Sequence, residues 1–175
     1  SPDHDVTVVD TRAEFEWTPN IHEILSGVKN RENIVLPRAE CVSRYGHKFV
    51  HDCVTHIDRD SNVVFTEGGL ALPYDACLIA AGSQRKSSGI EGIDKHALGL
   101  RYVDDAVRIA DRLDRLARRQ RRASVVIVGG GVSGIEALGE ILRRREQGDE
   151  FDIHVVERHS RILERQTKRL ADDAI

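Results

Sequence analysis

The sequence contains no methionine and only three cysteines, Cys41, Cys53 and Cys77. Three widely spaced thiols cannot form the paired framework of a small disulfide-stabilised secreted domain, and they fit a reducing, cytoplasmic compartment. No apolar run reaches the length that spans a bilayer, and no signal peptide is visible, so a membrane-spanning or exported class is not indicated. The formal net charge of -3 is too evenly balanced for general affinity to nucleic acid. A metal centre at His47, His51, Cys53 and His56 is disfavoured, because strand geometry sends His51 and Cys53 to one face and His56 to the other. With no methionine at its start and an apolar strand almost at once, the sequence reads as a fragment lacking both ends.

What is present suffices for a core. The 175 residues are 40% hydrophobic, enough for one ordinary domain or two small ones. The β-branched run Val6–Val9 predicts a buried strand that stops at Asp10. Ile21, Ile24 and Leu25 have helical spacing within Glu14 to Ser26, which Pro19 interrupts, and Gly27 is a plausible stop. Pro37 to Tyr45 predicts a short helix. Phe49 to Ile57, Val63 to Phe65 and Leu70 to Leu72, separated by polar and Gly-Gly turns, predict a small antiparallel meander.

Ala76 to Ala80 is apolar on both faces, as in a strand covered from both sides. The polar stretch Ser83 to Gly92 then crosses between modules. Val103, Val107, Ala110, Leu113 and Ala117 form the stripe of a long helix. Val125–Val128 predicts another buried strand, Ser133 to Arg145 a helix, and Phe151 to Val156 a further strand. Strands alternate with helices around a meander, so the expected class is α/β, with Rossmann-like parallel sheets.

The run Gly129-Gly130-Gly131-Val132-Ser133-Gly134 carries the chemistry. Its glycine spacing is common when isolated, but here a strand leads in and an amphipathic helix leads out. Gly129 allows the tight turn, Gly131 lets a pyrophosphate approach the backbone, and Gly134 lets the helix pack against the strand. The first helical turn, including Val132 and Ser133, aims unpaired N–H groups and the positive dipole end at phosphate. The next strand ends at Glu157, whose carboxylate can accept bonds from an adenosine ribose. A carboxylate there suits a free 2′-hydroxyl and repels a 2′-phosphate, so NADH is favoured over NADPH, although Arg158 and Arg161 stand close enough to bind a phosphate.

Beyond its glycines, the stretch Gly129 to Glu140 resembles the NADH motif of the two-dinucleotide-domain flavoproteins. This is the superfamily of disulfide reductases, ferredoxin reductases and type II NADH dehydrogenases. Tyr74 to Ser83 is similar to that family's second flavin-domain motif, with Ala80-Ala81-Gly82 where the family usually has Ala-Thr-Gly. Gly89-Ile90-Glu91-Gly92 also fits. Phe15-Glu16-Trp17-Thr18-Pro19 resembles the aromatic-to-proline segment that type II NADH dehydrogenases place beside the flavin, so that branch looks closest.

The resemblance implies a partial FAD-binding domain over residues 1–100 and a partial NAD(P)H-binding domain over 101–175. It implies that Asp10 bonds the flavin's adenosine ribose, that the backbone at Val54 meets adenine, and that Ala81 and Gly82 help to hold the flavin. Glu136 matches a glutamate near the flavin and nicotinamide rings, and is the one candidate for a catalytic role. Its alternative is a helix-face carboxylate that supports the fold.

No Cys-x-x-Cys precedes the Val125 strand, so electron transfer through a disulfide is disfavoured, and Cys77 reads as a buried, inert thiol. The implied activity passes hydride from NADH to FAD and electrons to a quinone. The rivals are a ferredoxin or rubredoxin reductase, which docks a small electron-carrier protein, and a non-catalytic FAD- or NAD-binding module. The basic run Arg112, Arg115, Arg118, Arg119, Arg121 and Arg122 reads as a solvated helix face, with peripheral contact to the inner face of the membrane as the sharper alternative. A homodimer is left open.

Overall fold

The computed structural model describes residues 4–82, 89–119 and 122–164. Residues 83–88 of the expected crossing segment, and Arg121 of the basic run, lie outside the described residues. The chain divides into two compact units, Ser1–Phe15 with Val35–Ile93, and Glu16–Ile34 with Asp94–Ile175.

In the first unit, β1 (Thr7–Asp10) runs parallel to β4 (Lys48–His51), with Asp10 opposite His51. The predicted strand at Val6–Val9 is therefore present, but Val8 and Val9 are only half-buried. Short strands β2 (Glu14–Glu16) and β3 (Val35–Pro37) pair with each other, and α1 (Arg38–Ser43) follows directly. A three-stranded antiparallel meander is built from β5 (Val54–Asp58), β6 (Val63–Thr66) and β7 (Ala71–Pro73).

The single run expected from Phe49 to Ile57 is thus two strands in two sheets. Asp52 makes the break, because its carboxylate accepts the backbone N–H groups of Cys53 at 2.7 Å and Gly68 at 3.1 Å. An aspartate that serves its own neighbour's amide draws the backbone away from ladder bonding. Two of the histidine rings of this region have protein partners: His51 Nε2 meets the Thr11 carbonyl at 3.0 Å, and His56 stacks on Phe65 with centroids 6.1 Å apart.

The strand expected at Ala76 to Ala80 does not form. Leu78 and Ile79 are 90% and 72% exposed, and Cys77 is exposed rather than buried. A run that is apolar on both faces takes a strand conformation only when it gains a ladder partner and cover on both sides. No strand among the described residues pairs with it.

The second unit holds α2 (Ile93–His96), α3 (Val103–Arg119), β8 (Ala123–Val128), α4 (Val132–Glu146) and β9 (Phe151–Val156). β8 and β9 are parallel over six residue pairs, from Ala123–Phe151 to Val128–Val156. Their inner face packs on the helices, with Leu113, Ala123, Ile141 and Phe151 at the centre and Ile109, Leu116, Val125, Ile127 and Ile153 around them. The buried line of α3 runs through Val103, Ala106 and Leu113, so Ala106 takes the place expected for Val107. On the other face of the pair, Val126, Val128 and Val156 are each more than half exposed, and the burial expected for Val125–Val128 holds on one side only.

The segment before this core belongs to the same unit. A 3-10 helix, Thr18–Ile24, packs against both α3 and α4. Its helically spaced Ile21, Ile24 and Leu25 are buried, and the turn closes at Gly27 with φ +76°, a conformation open to glycine. Arg144, near the end of α4, binds this assembly together from a buried position. It reaches Asp149 at 2.7 Å, Asp114 of α3 at 2.6 Å and the Leu25 carbonyl at 3.1 Å, and its guanidinium lies over the Phe151 ring.

Candidate functional site: a dinucleotide cradle at the end of β8

Strand β8 ends at Val128, and the turn begins with the Gly129 N–H donating to the Val156 carbonyl at 2.8 Å. Gly129 has φ +108°, which a residue with a Cβ rarely adopts. This lets the chain reverse and enter α4 within two further residues. Gly131 is the N-cap, in extended geometry and with no side chain to bond the first turn. The N–H groups of Val132, Ser133 and Gly134 therefore face outward without helical acceptors, at the positive end of a 15-residue helix with no acidic residue in its first turn.

The glycines of this loop face different surroundings. A Cβ on Gly134 would stand 2.0 Å from the Gly129 carbonyl oxygen, so the helix can close on the loop only with hydrogen there. A Cβ on Gly130 would meet Ile162 at 2.8 Å and Glu157 at 3.3 Å. A Cβ on Gly131 would meet nothing within 4 Å. The tight positions pack protein against protein, Gly129 is open but held by its positive φ, and the open Gly131 lies where the motif expects a phosphate to approach.

The open side leads into a cavity of about 290 Å³ lined by Gly131, Val132, Glu157, Arg158, His159, Leu163 and Glu164. Glu157, at the tip of β9, accepts the Gly130 N–H at 2.6 Å on one oxygen and the His159 N–H at 3.0 Å on the other. These bonds, first from His159 and then from Gly130, hold its carboxyl below the ordinary glutamate range. An ionised carboxylate offers about four lone-pair directions, so acceptor capacity remains for hydroxyl donors. The segment after it closes on the loop, with the Leu163 N–H donating to the Gly130 carbonyl at 2.7 Å and His159 within 3.1 Å of Glu164.

The shift sets the pH behaviour of this tether. Its folded pKa lies below the unfolded one, so its stabilising contribution is complete above the ordinary value near 4.5 and is lost as pH falls through the lowered one. The loop should therefore hold unchanged from pH 8 to 5. Protection of the Gly130 and His159 amides, measured against their intrinsic exchange rates at each pH, should fall only in stronger acid; a fall in protection between pH 8 and 5 would contradict the tether.

Two further sequence positions lie in the first unit. Asp10 closes β1, and Val54 lies just beyond the end of the adjacent β4. The Asp10 carboxylate accepts the Arg12 N–H at 2.8 Å and pairs with Arg38 at 3.2 Å. Arg38 also donates to the carbonyls of Arg12 and Glu14, and its guanidinium sits over Phe15. Arg38 was not singled out in the sequence. Its signal is a cation at the first position of a helix, against the dipole, which calls for a nearby carboxylate. Ala81 and Gly82 lie in exposed coil. Glu136 lies on α4, 40% exposed, with His22 of the 3-10 helix 3.7 Å away.

The sequence model of the pyridine nucleotide-disulphide oxidoreductases matches residues 1–175. The chain belongs to this family. Its members of like sequence include the demethylphylloquinone reductase NdbB of Synechocystis sp., 29% identical over 164 residues that cover 91% of this chain and 40% of that protein. The type II NADH:quinone oxidoreductase of Staphylococcus haemolyticus is 26% identical over 148 residues, covering 80% of this chain and 37% of the relative. The fold is similar to that of NDH2 from Plasmodium falciparum in complex with NADH, with a TM-score of 0.74 at 20% identity over 98% of this chain and 40% of that one. The chain thus spans about 40% of the length of these relatives.

Among the arginines of the basic run, Arg118 pairs with Asp114 at 3.8 Å and Arg122 with Asp152 at 3.4 Å. Among the described residues, no helix is long and apolar enough to cross a membrane.

Proposed function

We propose that this oxidoreductase-family chain holds NADH in the β8–α4 loop of an FAD-dependent enzyme that passes hydride from NADH to the flavin and electrons to a quinone. One observation carries the reading: Gly131 is open, in backbone geometry any residue can adopt, between the tightly packed Gly130 and Gly134, above a helix N-terminus that no side chain caps. The N–H groups of Val132, Ser133 and Gly134 would bind the pyrophosphate, with Gly129 and Gly130 shaping the turn. Glu157 would take the ribose hydroxyls on its remaining lone pairs, favouring NADH over NADPH.

The flavin contacts, at Asp10, the Val54 backbone, Ala81 and Gly82, fall within residues 1–100 and the NADH contacts within 101–175, while residues 16–34 pack with the second unit. When bound, the nicotinamide and flavin supply the hydride transfer; the protein positions them and limits access of water. Glu136 serves beside the rings. The names of the relatives support a quinone acceptor, and a lipid-dissolved acceptor suits a cytoplasmic protein that works peripherally at the inner face of the membrane, as a monomer or a homodimer.

The test is the visible spectrum of the intact natural protein during anaerobic NADH addition. Flavin bands that bleach, and return when a short-chain quinone is added, support the reading. A colourless protein that binds NADH would mark a binding module instead, and reoxidation by ferredoxin or rubredoxin but not quinone would move the acceptor. Glu157→Ala should weaken NADH binding about tenfold, the worth of one hydrogen bond to a charged group, and narrow the preference over NADPH. An unchanged dissociation constant in fluorescence titration would remove the ribose contact.

A further inference from the structure

The face that α4 turns toward the 3-10 helix is polar at three positions one turn apart. Glu136, Glu140 and Arg144 stand at i, i+4 and i+8. Arg144 donates to the Leu25 carbonyl, and Glu140, only 5% exposed, accepts the Ser26 hydroxyl. Those two contacts fix the register of the segment on the helix. The same register sets His22, four residues before Ser26, opposite Glu136, four before Glu140. Its Nδ1 is buried with no hydrogen-bond partner and lies 3.7 Å from Glu136 Oε2, just outside hydrogen-bond range. Neighbouring charges are otherwise engaged, with Glu23 on Lys29 at 2.7 Å and Glu140 also near Arg143 at 3.5 Å.

We propose that His22 is a positioning residue for Glu136, the donor that fixes where this carboxylate points. A buried ring nitrogen without a partner is costly, and a short movement of the half-exposed glutamate satisfies both groups. Ordering the dinucleotide on the same helix would favour that movement. The inference rests on the assignment of Glu136 beside the rings.

The experiment is stopped-flow flavin reduction by NADH in the intact, flavin-loaded protein. His22→Leu should slow reduction at saturating NADH about tenfold, the worth of one hydrogen bond to a charged group. The NADH dissociation constant should stay within about twofold. His22→Asn, whose amide nitrogen stands where Nδ1 does, should restore the rate; a purely structural role would not separate these two variants. Glu136→Gln should show a similar loss, and adding His22→Leu to it should cost nothing more, since contacting residues are not additive.

If Glu136→Gln slows reduction and His22→Leu does not, the positioning role is overturned and the Glu136 assignment stands. If Glu136→Gln leaves the rate unchanged, both fall. Should the leucine variant fail to fold, the asparagine variant and His22→Ala decide by the same comparison.

Discussion

Gly131→Thr is expected to weaken NADH binding on the order of 100-fold, the worth of about two charge-assisted hydrogen bonds, while leaving stability within about 0.5 kcal/mol. The two halves of that result come from one geometry. Gly131 has φ -77° and ψ 179°, a conformation any residue adopts and an N-cap requires, and the space around its missing Cβ is empty. Threonine and glycine are about equally good N-caps, so the fold loses nothing. The new hydroxyl, however, would bond the first-turn N–H groups itself, and the side chain would place three heavy atoms where the diphosphate must come. Fluorescence titration with NADH and a denaturant melt check both halves. A variant that binds as the parent does would mean that the open space has no ligand.

Three residues along, the expectation reverses. Replacing a helical glycine by alanine ordinarily stabilises by about 1 kcal/mol. At Gly139, where a Cβ would meet nothing within 4 Å, that gain is expected. At Gly134 the same change puts a Cβ 2.0 Å from the Gly129 carbonyl oxygen and 3.2 Å from its carbon, both backbone atoms that cannot turn aside. The helix must lift from the loop, and Ala137 and Ile141 on its buried face move with it. We expect Gly134→Ala to cost more than about 4 kcal/mol, in the range kept for overpacked or strained positions. Urea melts of the two variants read this directly. A Gly134→Ala protein as stable as the parent would show that the close approach does not exist in solution.

The cradle was legible in the sequence because its demands are local. A strand, a reversal at Gly129, a helix start at Gly131 and an acid at the next strand's tip each leave a mark at fixed spacing, and β8, α4 and β9 lie within two residues of their expected bounds. Two features at the same site left no such mark. The job of Gly130 depends on Ile162, more than thirty residues on, and the second use of Glu157 depends on a backbone amide rather than a ligand.

The misreadings share one cause. Phe49 to Ile57 alternates well enough for a single strand, but the Asp52 carboxylate captures two amides and splits it between sheets. Ala76 to Ala80 has the composition of a covered strand, and cover is a property of neighbours, not of the run itself. The polar face of α4 at Glu136, Glu140 and Arg144 was hidden for the same reason, because its partners come from a segment more than a hundred residues earlier.

The most direct measurement is a backbone amide spectrum of the intact protein, with and without NADH. Resonances of Val132, Ser133 and Gly134 should move together downfield as their protons meet diphosphate, and the Glu157 neighbourhood should shift with them. NADH that binds while those three signals stay in place would contradict the account.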